Sequence, residues 1–205
     1  DFYIAEGASA EKIHIIYCGI DLDEYGYSYP ERKEPVRILS FGRLVEKKGY
    51  STLIKACGLL RDLGLDFHCE IAGSGPEYGT LMKLTASLNL DKRITITGKA
   101  LNQEEIEEWM KTGDIFAQPC CWSADNDVDG IPRSLMEAMA VGLPSISTAV
   151  AGIPDLIEHM KTGLLIAEQD ADALAKAIKL IIDDPSLRQE LSKGGRQIIE
   201  QRFNL

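Results

Sequence analysis

Long apolar runs, clusters of positive charge and paired cysteine spacings are all missing from this 205-residue sequence, and each absence removes a class of protein. No apolar stretch approaches the ~18 residues that a membrane-spanning helix requires. The opening residues DFYIAEGASA carry neither a basic region nor the apolar core of a secretion signal. The expectation is a cytoplasmic protein without a transmembrane segment, for which peripheral association with the inner face of the plasma membrane stays open. Lysine and arginine number 22 against 32 aspartates and glutamates, a formal charge of -10. Nucleic acid is therefore not expected as a partner, and an anionic ligand must be held by local cations and backbone amides against the net field. The five cysteines, Cys18, Cys57, Cys69, Cys120 and Cys121, are odd in number and form no C-x-x-C pair. That pattern suits a reducing compartment and small buried hydrophobes. Histidine is scarce, and His14 and His68 sit in apolar runs where a structural role is expected. There is no nucleophile elbow, no His-Glu-x-x-His and no Walker lysine, so a protein nucleophile has no visible candidate.

What is present is an ordinary globular composition, 45% apolar and 26% charged, in a chain long enough for one sizeable core. Short β-branched runs alternate with amphipathic helical segments. The strand candidates are 13–17, 36–41, 67–72, 94–97, 115–118, 145–148 and 164–167. The helix candidates are about 51–63, stopped by Gly64, then 77–88, 103–111, 133–141, 171–182 with Asp170 as N-cap, and 186–202 after Pro185. Strands separated by helices of this length predict an α/β fold, a Rossmann-like parallel sheet with helices on both faces. The polar, turn-rich stretch YGYSYPERKEP, Tyr25 to Pro35, reads as a surface connection. The chain opens without Met and closes soon after a helical stretch, so both ends read as cut from something longer.

In open sheets of this kind ligands sit beyond the carboxyl ends of the strands, so the residues there are the candidates. After 36–41 comes GRLVEKKG, in which Gly42 permits a sharp turn while Arg43 and Lys48 could grip one diphosphate. After 67–72 comes GSGPEYG, with Pro76 at the expected first helical position. Gly73, Gly75 and Gly79 miss the dinucleotide spacing G-x-G-x-x-G by one residue. After 115–118 comes an acidic loop, SADNDVDGIPRSLME, that imitates a calcium loop. Asp125, Asp127, Asp129 and Gly130 fit its first half, but position 12 is Met136 and Glu137 is one residue late, so no metal is expected there.

Taken together, GRLVEKKG, IAGSGP, ITITG, DIFAQP and DGIPRSLMEAMAVGLPSISTAVAGIPDLI resemble, in order and spacing, the retaining glycosyltransferases of family 4. The resemblance implies the C-terminal, donor-binding half of a GT-B fold, with the N-terminal acceptor-binding domain absent from this sequence. Residues 1–35 would be a remnant of the interdomain region with a first strand and a surface connection, 36–185 the nucleotide-sugar-binding domain, and 186–205 a truncated C-terminal helix.

On the same resemblance, Arg43 and Lys48 bind the donor diphosphate and stabilise the departing nucleoside diphosphate. Glu137 accepts from both ribose hydroxyls. Asp129, eight positions earlier, bonds the transferred sugar, and stands where the family has a longer Glu. Gly130 and the amides of Ile131, Arg133 and Ser134 face sugar and phosphate, while Pro132 has no amide to offer. Gly42 and Gly73 line the donor, and Gly98, Lys99 and Ala100 meet the base through main chain.

The resemblance further implies no cofactor, no metal and no enzyme nucleophile, the donor being a UDP- or GDP-linked sugar. The acidic stretch ADNDVDG is similar to members that build bacterial exopolysaccharides and cell-surface glycans. Retaining hexosyl transfer to a glycan or lipid-linked acceptor is the expected function, and the chain by itself is expected to be inactive. A catalytically idle sugar-nucleotide-binding module is the alternative. Another is a different GT-B enzyme such as a sugar-nucleotide epimerase, which would need a carboxylate and histidine set not found here.

Overall fold

A computed structural model describes residues 2–13, 16–29 and 34–205. Six strands, β1 Val36–Phe41, β2 Phe67–Ala72, β3 Ile94–Ile96, β4 Ile115–Gln118, β5 Ser145–Thr148 and β6 Leu164–Ile166, form one sheet. Its order is β3-β2-β1-β4-β5-β6, and every pairing is parallel. The helices are α1 Phe2–Ala5, α2 Tyr50–Asp62, α3 Tyr78–Ser87, α4 Gln103–Met110, α5 Arg133–Val141, α6 Ile153–Leu156, α7 Ala171–Asp183 and α8 Pro185–Arg202. This is the expected Rossmann-like α/β architecture, with boundaries moved by a residue or two.

Successive residues of a strand face opposite ways, and both faces of this sheet are buried. Ile38 of β1 joins a core with Leu53, Ile54 and Leu60 of α2, Leu81 of α3, and Leu174 and Ile178 of α7. The next residue, Leu39, joins a second core with Met110 of α4, Leu135 and Met139 of α5, Ile153 of α6, and Ile199 of α8. Strands covered on both faces read as continuous apolar runs, which is why VRILSF and IFAQ announce themselves in the sequence. Carboxylate caps set the last two helices: Asp170 accepts from Ala173 N at 2.8 Å and Asp184 from Leu187 N at 3.0 Å.

Three expectations are corrected. The first strand, over 13–17, does not form at its described residues: Ile13, Ile16 and Tyr17 are outside any strand and Ile16 is 91% exposed. His14 falls outside the described residues. The expected surface connection is exposed at Gly26, Tyr27 and Ser28, but its first residue is not, because Tyr25 is only 1% exposed and belongs to the second core. Tyr27 and Tyr29 reach α8 through Ser192 and Arg188; residues 30–33 lie outside the described residues. Pro76 does not start α3. It sits in a turn ahead of it, where the Glu77 amide donates to Leu44 O at 3.0 Å and Tyr78 N to Gly75 O at 3.2 Å.

The strand order reverses between β1 and β4, which pair through Ile38 with Ile115 and Leu39 with Phe116. Beyond their carboxyl ends the loops diverge and leave a crevice, the place where open α/β sheets bind ligands.

Candidate functional site

Two close backbone contacts build the crevice wall. A Cβ on Gly73 would lie 1.9 Å from the Gly42 carbonyl oxygen, so the loops after β1 and β2 can meet only because residue 73 is glycine. Gly49, at φ +70°, would place a Cβ 1.7 Å from Pro119 O, bringing the β1 loop equally close to the end of β4. Leu44 N donates to Ser74 O at 2.9 Å and Cys121 N to Lys47 O at 3.0 Å, which fixes the loop between those two contacts. The lysine pair of GRLVEKKG is thereby held over the crevice.

The acidic loop folds onto those lysines. Lys48 Nζ lies 2.8 Å from Asp129 Oδ2, and Lys47 Nζ lies 3.1 Å from Asp129 Oδ1 and 2.7 Å from Asp127 Oδ2. Asp129 Oδ2 is buried and receives no well-aligned hydrogen bond, so the Lys48 ammonium is its electrostatic partner. Burial pushes the Asp129 carboxyl up, but the Lys48 and Lys47 ammoniums outweigh it and hold the group below its ordinary value. Asp125 turns away to the Ser123 hydroxyl at 2.5 Å. Of the three aspartates of the calcium-like pattern, Asp127 and Asp129 thus share Lys47 and Asp125 bonds Ser123 instead. Among the described residues no group of three metal-ligating side chains gathers anywhere.

Glu137 stands one turn into α5, four residues after Arg133, and is only 2% exposed. Its Oε1 accepts from Tyr25 Oη at 2.9 Å and from Arg133 Nε at 2.8 Å. Tyr25 in turn accepts from Gln103 Nε2 at 2.6 Å. Burial first, and then the Glu137 charge, push the Tyr25 phenol up to about 12. The Ser134 hydroxyl is spent on Gln118 Oε1. The Arg133 and Ser134 amides open α5 ahead of its first i to i−4 bond, where backbone N–H groups are free for an anion.

Adjoining clefts collect most of the sequence-predicted residues. Gly42, Lys48, Arg133, Ser134 and Glu137 line one of about 260 Å³. Gly42, Arg43, Gly73 and Ala100 line a second of about 160 Å³. Arg43 also borders a third, of about 440 Å³, with Lys47, Glu77 and Asp127. Gly98, Lys99, Asp129, Gly130 and Ile131 stand outside these linings: both the amide and the carbonyl of Lys99 bond the Thr97 hydroxyl, and Gly130 O accepts from Gly152 N at 3.0 Å. Arg43 is exposed and makes no ion pair among the described residues. Sequence reasoning did not single out Lys47, Tyr25 or Gln103. Lys47 adjoins a lysine that was singled out, while nothing local marks Tyr25 or Gln103 as neighbours of Glu137.

A sequence model described as "Glycosyl transferases group 1" matches residues 23–198. The chain is 38% identical over 202 residues to the amylovoran biosynthesis glycosyltransferase AmsK of Erwinia amylovora, covering 98% of this chain and 49% of AmsK. It spans about half the length of the curated relatives it matches. Among solved structures, sucrose-phosphate synthase from Thermosynechococcus elongatus superposes with a TM-score of 0.80 at 27% identity over 99% of this chain and 52% of that one. The Anabaena protein HepE, solved in complex with UDP-glucose, superposes with a TM-score of 0.79 at 22% identity, over 98% of this chain and 56% of that one.

Proposed function

The chain belongs to the glycosyl transferases group 1 family, and from that premise we propose that it is the donor-binding half of a retaining hexosyltransferase taking a UDP- or GDP-linked sugar. The observation that carries the reading is the convergence of Lys48, Glu137 and the opening amides of α5 on one cleft at the β1–β4 switch point, with Arg43 on the adjoining one. Such a set suits a nucleoside diphosphate. The carboxylate takes the ribose hydroxyls, and the cations and helix N-terminus take the phosphates.

Breaking the glycosidic bond moves negative charge onto the diphosphate. Cations already aimed at it stabilise the transition state more than the ground state. Arg43 carries no competing ion pair among the described residues, whereas Lys48 must leave Asp129 to serve the diphosphate. Asp129 then keeps Lys47 as partner and turns its other oxygen to the sugar. The acceptor hydroxyl attacks from the face the diphosphate leaves, which gives retention without an enzyme nucleophile or a metal. The acceptor is a glycan or lipid-linked glycan. AmsK's role in amylovoran biosynthesis supports exopolysaccharide or cell-surface glycan synthesis as the setting, and HepE's UDP-glucose supports the donor class.

Calorimetry of the chain with UDP, GDP and ADP tests the reading. One of them is expected to bind, and Arg43→Ala or Glu137→Ala to weaken it by about tenfold or more, since hydrogen bonds to charged groups are worth ~1.5–3 kcal/mol. Absence of binding at millimolar ligand refutes the site. Retention is checked on the full-length enzyme by reading the anomeric configuration of the product by NMR.

A further inference from the structure

The donor-site reading leaves one polar group beside Glu137 without a task, the phenol of Tyr25. Its hydrogen bonds have a defined direction. Gln103 Nε2 donates to the phenol oxygen at 2.6 Å, and the single phenol proton goes to Glu137 Oε1 at 2.9 Å. Arg133 Nε takes the same carboxylate oxygen at 2.8 Å. Oε1 is thereby occupied by two donors, and Oε2 is the oxygen left for a ligand in the cleft that Glu137 lines.

Main-chain bonds keep the phenol in place. Arg196 Nη1 donates to Tyr25 O at 2.7 Å and also to Ala140 O at 2.8 Å, and Ala140 belongs to the helix that carries Glu137. Gly26 N donates to Glu107 Oε1 at 2.8 Å, on the helix that carries Gln103. The segment around Tyr25 is therefore fixed to both helices whose side chains its hydroxyl bridges. Burial and the neighbouring carboxylate keep the phenol protonated across the neutral range.

We propose that Tyr25 is a positioning residue: with Gln103, itself on the cleft lining, donating to it, its hydroxyl holds the Glu137 carboxylate in the one rotamer that presents Oε2 to the two ribose hydroxyls of the donor. The proposal rests on the donor-site reading above. Arg133 alone does not give this control, because its side chain is long and 58% exposed and can follow the carboxylate as it turns. Without the phenol, the carboxylate rotates between orientations and must be ordered again by each ligand, at a cost in affinity. The effect belongs to ligands that carry the hydroxyls.

The test is calorimetry of the 205-residue chain with UDP and GDP and with their 2′,3′-dideoxy counterparts, comparing the native chain, Tyr25→Phe and Gln103→Leu. Tyr25→Phe keeps the ring in the core and removes only the hydroxyl. The expected result is a loss of about fivefold to tenfold for the ribose ligand that binds. The dideoxy ligand, already weaker on the native chain, should change by less than about twofold. Gln103→Leu should follow the same pattern with a smaller loss, and it decides the matter if Tyr25→Phe does not fold. Equal losses for both ligands would make Tyr25 merely structural, and unchanged affinity for both would leave it no role; either overturns the proposal. Should the native chain bind the dideoxy and ribose ligands alike, the ribose role of Glu137 falls. Should it bind no nucleotide, the donor-site reading itself falls, and this proposal with it.

Discussion

Replacing Asp129 by asparagine is expected to lower the stability of the chain while strengthening its hold on a nucleoside diphosphate. In the unliganded site the carboxylate draws on both lysines, and the side chains of Lys48 and Asp129 are only 14% and 19% exposed. Exposed pairs are worth ~0.2–1 kcal/mol, and removing one member of a fully buried pair costs ~3–5 kcal/mol, so this half-buried pair should be worth about 1–2 kcal/mol. For a chain of this size that corresponds to a fall in Tm of roughly 2–8 °C. The Asp129 carboxyl is held below its ordinary value in the folded chain. Its stabilisation is therefore fully present above the unfolded carboxylate pKa and is lost as pH falls through the depressed folded one. Asp129→Asn should accordingly flatten the acid limb of the stability curve below about pH 4. Ligand binding moves the other way. A diphosphate no longer competes with Asp129 for Lys48, and a gain of about 1 kcal/mol is about fivefold in Kd. Thermal unfolding across pH and calorimetry with the preferred nucleoside diphosphate read both effects. A variant with native stability and weaker binding refutes the reasoning.

Further outcomes follow from the same contacts. Gly49→Ala combines a left-handed backbone, ~1–2 kcal/mol for a residue with a Cβ, with a clash against Pro119 O. A fall in Tm on the order of 10 °C is expected once overpacking of ~1–3 kcal/mol is added. Gly79→Ala, in α3 with nothing within 4 Å of the new Cβ, should instead raise stability by ~0.5–1 kcal/mol; equal effects at the two positions would contradict the contact at Gly49. Cys18 is exposed while Cys57, Cys69, Cys120 and Cys121 are buried, and burial pushes the Cys120 thiol up to about 12. Ellman's reagent should titrate one thiol in the native chain and five after denaturation; a second fast native thiol would argue against the packing around β4.

The sheet was legible because its strands are buried on both faces and written as apolar runs, and the helix ends because Asp170, Gly64 and Pro185 punctuate them. Lys48 draws notice as a cation in the loop after a strand, whereas Asp129 and Glu137 are singled out only by the resemblance to the family motif. What stayed hidden depends on contacts distant in sequence. IHIIY has strand composition, but a strand also needs a neighbour to pair with, and Ile16 stands almost wholly in solvent. YGYSYPERKEP is polar and without period, yet Tyr25 is buried by residues from α4 and α5 more than 75 positions away. Which of two adjacent lysines serves the acidic loop is likewise a matter of side-chain direction, and both do.

The most direct test of the central claim is a crystal structure of this chain with the nucleoside diphosphate it binds best. The diphosphate is expected within hydrogen-bond reach of Arg43, Lys48 and the opening amides of α5, with both ribose hydroxyls on Glu137 Oε2 and Asp129 still paired with Lys47. A nucleotide seated away from the β1–β4 crevice, or one whose ribose does not touch Glu137, would contradict that claim.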